Sequence, residues 1–101
     1  MVKNLVKTEN PEHDFNHIGI YSIWDKKGKK FDVPFFAANQ LFARRRFLMM
    51  AKEESILKEF INDFDLCYIG KFNLINGHLE KSFEKLIEGK QIKKEDLENE
   101  K

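Results

Sequence analysis

At 101 residues the chain has room for one domain and not for two, and its single cysteine excludes an internal disulfide framework or a four-cysteine zinc site. No apolar run approaches the roughly 18 residues of a membrane helix, so the chain is expected to act off the membrane. The net charge of +1 hides a split: residues 18–52 carry eight basic and two acidic side chains, whereas residues 53–101 carry eight basic and twelve acidic ones. A cationic middle segment suits a polyanionic partner, or it complements the acidic half within or between protomers.

Residues 1–17 read as an N-terminal arm: Pro11 holds Asn10 extended, and polar residues surround both. His13 and His17 stand four apart, but no third ligand lies nearby and no metal site is expected. Residues 18–24 form a strand with bulky side chains on both faces, either covered on two sides or offering an aromatic face to a partner. The turn that follows, Asp25-Lys26-Lys27-Gly28-Lys29-Lys30, is a cationic tip in which Gly28 is expected to take positive φ. Lys26, Lys27, Lys29 and Lys30, with Tyr21 and Trp24 beside them, suit phosphate contact with base stacking nearby; ordinary solvated lysines are the bland alternative. A second strand over 31–36 is broken by Pro34 and should lie at a sheet edge.

A helix should start at Asn39 as N-cap and end between Ala51 and Glu54. Its apolar residues run nearly all round, which predicts burial of a second side by another protomer or a partner. Arg44, Arg45 and Arg46 step by 100° each, so at most two can follow one phosphate track while the third pairs or snorkels. Residues 55–62 suggest a short helix capped by Ser55. Residues 63–72 form the strongest strand, with Phe64, Leu66, Tyr68 and Gly70 on one face and Asp65, Cys67, Ile69 and Lys71 on the other. Asn76-Gly77 is a two-residue hairpin signal, after which Leu79, Phe83, Leu86 and Ile87 fall at helical spacing up to Gly89. Residues 89–101, nearly all charged, read as a disordered tail.

The expected architecture is α+β: a small single domain over residues 18–88, a β-hairpin, then a helix, then a returning β-strand, with a C-terminal hairpin or short helix. No glycine-rich phosphate loop, matched nucleophile and base, or spaced carboxylate pair is present, so an enzyme is not expected and no cofactor is implied.

Tyr-Ser-Ile-Trp-Asp-Lys at 21–26, Pro-Phe-Phe-Ala-Ala-Asn at 34–39, the run Asp-Phe-Asp-Leu-Cys-Tyr-Ile-Gly-Lys-Phe at 63–72 and Asn-Gly at 76–77 together resemble the small non-structural protein of gokushovirus-type microviruses, single-stranded DNA phages. The resemblance spans residues 18–79. It implies a DNA-binding protein of genome replication or packaging in the host cytoplasm. The chain departs from that pattern in its longer N-terminal arm, in Cys67 where an aromatic is common, in the Arg44 to Arg46 run, and in a helical rather than proline-rich C-terminal part.

The resulting expectation is a non-catalytic protein, forming a homodimer and binding single-stranded DNA through Lys26, Lys27, Lys29, Lys30, one or two of Arg44, Arg45 and Arg46, and stacking by Tyr21 or Trp24. The alternative is a protein-interaction module that engages a phage replication or capsid protein through its apolar helix.

Overall fold

The computed structural model describes residues 15–98. The expected N-terminal arm falls, apart from its last three residues, outside the described residues.

An antiparallel sheet forms the base. Strand β1 (His17–Asp25) is central and pairs along one side with β4 (Phe64–Asn73), which in turn pairs with β5 (Leu79–Glu88) at the edge. Along its other side β1 pairs with two short strands, β2 (Lys30–Phe31) and β3 (Phe35–Ala37). These two are in effect one edge strand broken at Val33-Pro34. Asp32 N–H still donates to the Ile23 carbonyl (2.8 Å), and the Ser22 hydroxyl donates to the Asp32 carbonyl (2.7 Å). Proline, lacking an N–H, ends the pairing there as its chemistry requires.

Helix α1 (Gln40–Glu53) begins where expected: Asn39 Oδ1 accepts the Phe42 N–H at 3.0 Å. Its core face is Ala43, Phe47 and Ala51, at i, i+4 and i+8. Glu54 turns extended, and a one-turn helix α2 (Ser55–Glu59) and a 3₁₀ turn (Ile61–Asp63) lead into β4. Glu54, not Ser55, occupies the cap of α2, and no side chain bonds there. Tyr21 and Ile23 from β1, Phe35 and Ala37 from β3, Leu57, Ile61, Leu66 and the α1 face form one core between the sheet and a single helical layer. The domain is only 18 Å through its thinnest Cα dimension, enough for those two layers and no third.

Four local expectations change. Lys29, not Gly28, takes the left-handed conformation (φ 57°): Asp25 Oδ1 accepts the N–H groups of both Lys27 and Gly28, and the positive φ falls one residue later. The second hairpin has a loop over residues 74–78 rather than a two-residue turn. Asn73 Oδ1 accepts the Ile75 and Asn76 N–H groups and widens it, while Gly77 supplies φ 79°.

Residues 79–88 form a strand, not a helix: after the loop the chain returns beside β4, whose edge N–H and C=O groups it satisfies. Two irregularities in that ladder, between Leu66 and Cys67 and between Tyr68 and Gly70, stretch the apolar spacing of β5 until it mimics a helix. Finally, the expected tail is ordered as far as Glu98. A 3₁₀ turn (Gly89–Gln91) and helix α3 (Lys94–Glu98) bring Leu97 into the core and Lys94 Nζ to 3.4 Å from the Glu59 carboxylate.

Candidate nucleic-acid interface

Directly opposed residues of an antiparallel pair share a face. Tyr21 opposes Tyr68 and Phe35, Ile23 opposes Leu66, and these point to the helices. Alternation therefore puts Ile18, Ile20, Ser22 and Trp24 of β1 on the other face. Their partners join them there: Phe36 opposite Ile20, Phe31 opposite Trp24, Phe72 opposite Ile18, and Cys67 and Asp65 opposite Ser22 and Trp24. The register also brings Leu79, Lys81, Phe83 and Lys85 of β5 to this side. No described helix packs on this face.

Aromatic rings lie across it in two pairs. Trp24 and Phe31 have centroids 4.8 Å apart with planes tilted by 56°, and Phe36 and Phe72 are 6.4 Å apart edge to face. Phe36 is 50% exposed and Phe83 61% exposed, so these rings present faces and edges to solvent rather than filling a core. Aromatic rings on all five strands, with Phe31, Phe36 and Phe83 exposed and cations at the flanks, are a platform on which unpaired bases can stack.

The lysines fall into two groups. Lys27, Lys29 and Lys30 are exposed at or beside the β1–β2 turn. Lys26 instead folds back onto the open face, 3.6 Å from Asp65 Oδ1, while Lys85 lies 3.5 Å from Asp65 Oδ2 and 3.6 Å from Glu88. Asp65 is fully buried. Oδ1 accepts the Gly89 N–H at 3.0 Å, and Oδ2 has no hydrogen bond, only the Lys85 charge. The Asp65 carboxylate beside it raises the Lys85 pKa, with Glu88 adding to the effect, so its ammonium stays charged at any working pH. Burial first, and the Asp65 charge second, push the Cys67 thiol up, which keeps it protonated and unreactive.

Four sequence-selected residues do not reach this face. Tyr21 is 2% exposed and stacks in the core on Phe35 (5.9 Å) and against Tyr68 (5.5 Å), so it cannot stack on a base. Arg44 donates from Nη1 to the Leu86 carbonyl (3.2 Å), and the Arg46 guanidinium sits 4.8 Å over the Phe35 ring. Both are committed within the helix–sheet layer. Arg45 has no such partner and, like Arg46, is exposed, on the helical side.

Residues 18–92 match the family described as Phage ORF5 protein, which covers well over half of the chain. The chain belongs to that phage protein family. No curated protein and no solved structure matches it. The matched segment contains every strand of the sheet except His17, and so the whole open face of this ORF5-family chain. Among the described residues no group of three His, Cys, Asp or Glu could hold a metal ion, and no helix is long and apolar enough to cross a membrane.

Phe31, Phe36, Phe72, Phe83, Lys81 and Lys85 of this face were not singled out from the sequence. Phe35-Phe36 reads as a docking pair, yet strand geometry sends one ring to each side of the sheet. The available signal was Trp24 itself. A strand with large residues on both faces, facing a single helix, must leave one of those faces to another partner.

Proposed function

We propose that this phage protein binds single-stranded DNA without catalysis, through the open sheet face and the adjoining lysine turn, in genome replication or packaging in the host cytoplasm. The observation that carries the reading is a sheet face on which no described helix packs: two aromatic pairs and Phe83, flanked by Lys26, Lys81 and Lys85, with three more exposed lysines at the neighbouring turn. Stacking is worth about 1–3 kcal/mol per base and tolerates any sequence, while the lysines supply the salt-dependent part. The resemblance to the small non-structural protein of gokushovirus-type microviruses supports the same reading and a single-stranded genome as ligand.

The test is anisotropy of a labelled oligothymidylate across a salt series, read beside the intrinsic fluorescence of Trp24, the chain's one tryptophan. Saturable binding with a log–log salt slope of roughly −2 to −3.5 and quenching of Trp24 is expected; replacing Lys27, Lys29 and Lys30 by Ala should flatten the slope by about 2. An oligonucleotide that fails to bind even at low salt overturns the proposal. A second reading rests on Leu41, Phe42 and Met49, exposed on α1, as a surface for a phage replication or capsid protein. A salt-insensitive complex with such a protein, without any oligonucleotide shift, would favour it.

A further inference from the structure

The face of α1 turned away from the core carries Leu41, Phe42, Arg45, Met49, Lys52 and Glu53. In a helix with only one covered side these positions are normally polar throughout. Here three are large and apolar, and Met49 is 57% exposed.

The charges on this face are arranged with respect to Met49. Arg45 lies four residues before it and Glu53 four after. Neither Arg45 nor Glu53 has a hydrogen bond or ion pair among the described residues. Two copies of α1 laid antiparallel about a two-fold axis at Met49 would therefore set Arg45 of each against Glu53 of the other. Met49 would meet Met49 at the axis. A two-fold contact must be self-complementary, and Met49 with the reciprocal Arg45 and Glu53 positions meets that requirement, with Lys52 and Arg46 left opposite one another at the rim. The other exposed surface with unpaired backbone, the edge of β5, lacks that property. Face-preserving two-fold pairings centred on Ser82, Phe83 or Glu84 oppose Glu80 to Glu84, Lys81 to Lys85 or Glu80 to Glu88.

We propose that the protein is a homodimer joined through α1, two-fold about Met49, with reciprocal Arg45–Glu53 pairs. The helical layers then meet in the middle and the two open sheet faces point outward on opposite sides. If those faces bind single-stranded DNA, a consequence resting on the proposed function, each dimer holds two separate stretches of strand and draws distant parts of a genome together, rather than lining one continuous track.

The dimer is tested without DNA. Light scattering after gel filtration should give twice the chain mass at tens of micromolar, and Met49→Asp should give the monomer with unchanged circular dichroism. Arg45→Glu alone and Glu53→Arg alone should each weaken the dimer at least tenfold, and the two together should restore it. Met49→Cys should form an intermolecular disulfide on mild oxidation, since the native Cys67 is buried. A wild-type monomer at high concentration overturns the proposal. So does a dimer in which the exchanged charges fail to restore association and Met49→Cys fails to cross-link. The DNA consequence has its own readout, energy transfer between two differently labelled oligonucleotides. It is expected for wild type and absent for Met49→Asp; its absence in a proven dimer would refute bridging and leave the dimer standing.

Discussion

Removing the Asp65 carboxylate should lower stability and strengthen the cationic character of the open face at once. Two substitutions separate its contributions. Asp65→Asn keeps an oxygen for the Gly89 N–H but removes the charge that Lys26 and Lys85 approach at 3.6 and 3.5 Å. The lysine side chains are 36% and 40% exposed and can return to water, so each lost pair is worth about 0.5 kcal/mol and the variant loses about 1 kcal/mol. Asp65→Ala also strands the buried Gly89 N–H, a further ~1–3 kcal/mol. For a domain of this size each kcal/mol moves Tm by about 4–8 °C, so Ala should melt well below Asn, and Asn modestly below wild type.

Thermal unfolding followed by circular dichroism measures both gaps. Raising salt to about 1 M should shrink the wild-type-to-Asn gap, which is Coulombic, and leave the Asn-to-Ala gap intact. Equal melting of Asn and Ala would refute the role given to the Gly89 bond. An unchanged Tm in both would refute the whole account of the cluster. In the oligonucleotide assay Asp65→Asn frees two ammoniums on the open face, so the salt slope should steepen by about 0.7–1.4 despite the loss of stability.

Two further outcomes concern stability alone. Gly89→Ala should destabilise the fold by several kcal/mol, on the order of a severe core substitution, because its Cβ would run into the carbonyls of Ile61 and Phe64; a urea midpoint close to wild type would show that the 3₁₀ turn can slide away from β4. Stability should also fall as pH rises above about 9. Cys67, Tyr68 and Lys85 all hold their protons more tightly folded than at their ordinary values of 9.0, 10.0 and 10.5, so over that range the native state binds more protons than the unfolded one. Cys67→Ala should move the onset of this alkaline loss from near 9 toward 10, measured by urea unfolding at a series of pH values; an onset that stays at 9 would assign it to another group.

Local chemistry was legible in the sequence wherever one residue type decides the backbone. Asn39 caps α1, Pro34 breaks the edge strand, and Asn76-Gly77 sits in the loop of the second hairpin. What could not be read was parity. In β1 both alternating sets are bulky, so the pattern does not say whether Tyr21 or Trp24 faces the helices. The choice follows from the register with β3, where Phe35 and Ala37 are buried and Phe36 is not. One residue of parity moved Tyr21 from the expected stacking site into the core. In β5 the bulged register disguised a strand as a helix, and Leu97 and Ile92 anchor an otherwise charged segment on the core, a contribution that composition averages away. The arginine run was expected to set at most two members on one phosphate track; the partners of Arg44 and Arg46, a strand carbonyl and a phenyl ring, depend on the tertiary packing.

Among the described residues two surfaces on opposite sides of a domain only two layers thick carry exposed apolar side chains, and a small domain gains nothing in stability from leaving them wet. Their rims separate the proposed occupants. Around the sheet face stand Lys26, Lys81 and Lys85, with Lys27, Lys29 and Lys30 close by, against one buried carboxylate and Glu88, a surplus of positive charge that calls for an anion. Arg45, Arg46 and Lys52 on the helix face stand beside Glu53 and Glu54, and the Arg45 and Glu53 positions, symmetric about Met49, are satisfied by a second copy. Reversing the rims would reverse the assignment. Lys81→Glu with Lys85→Glu should abolish oligonucleotide binding and leave association through α1 untouched, whereas Arg45→Glu should weaken association and leave the affinity of a single protomer for a short oligonucleotide unchanged. If either pair of substitutions disturbed both properties equally, the two faces would not be separate sites.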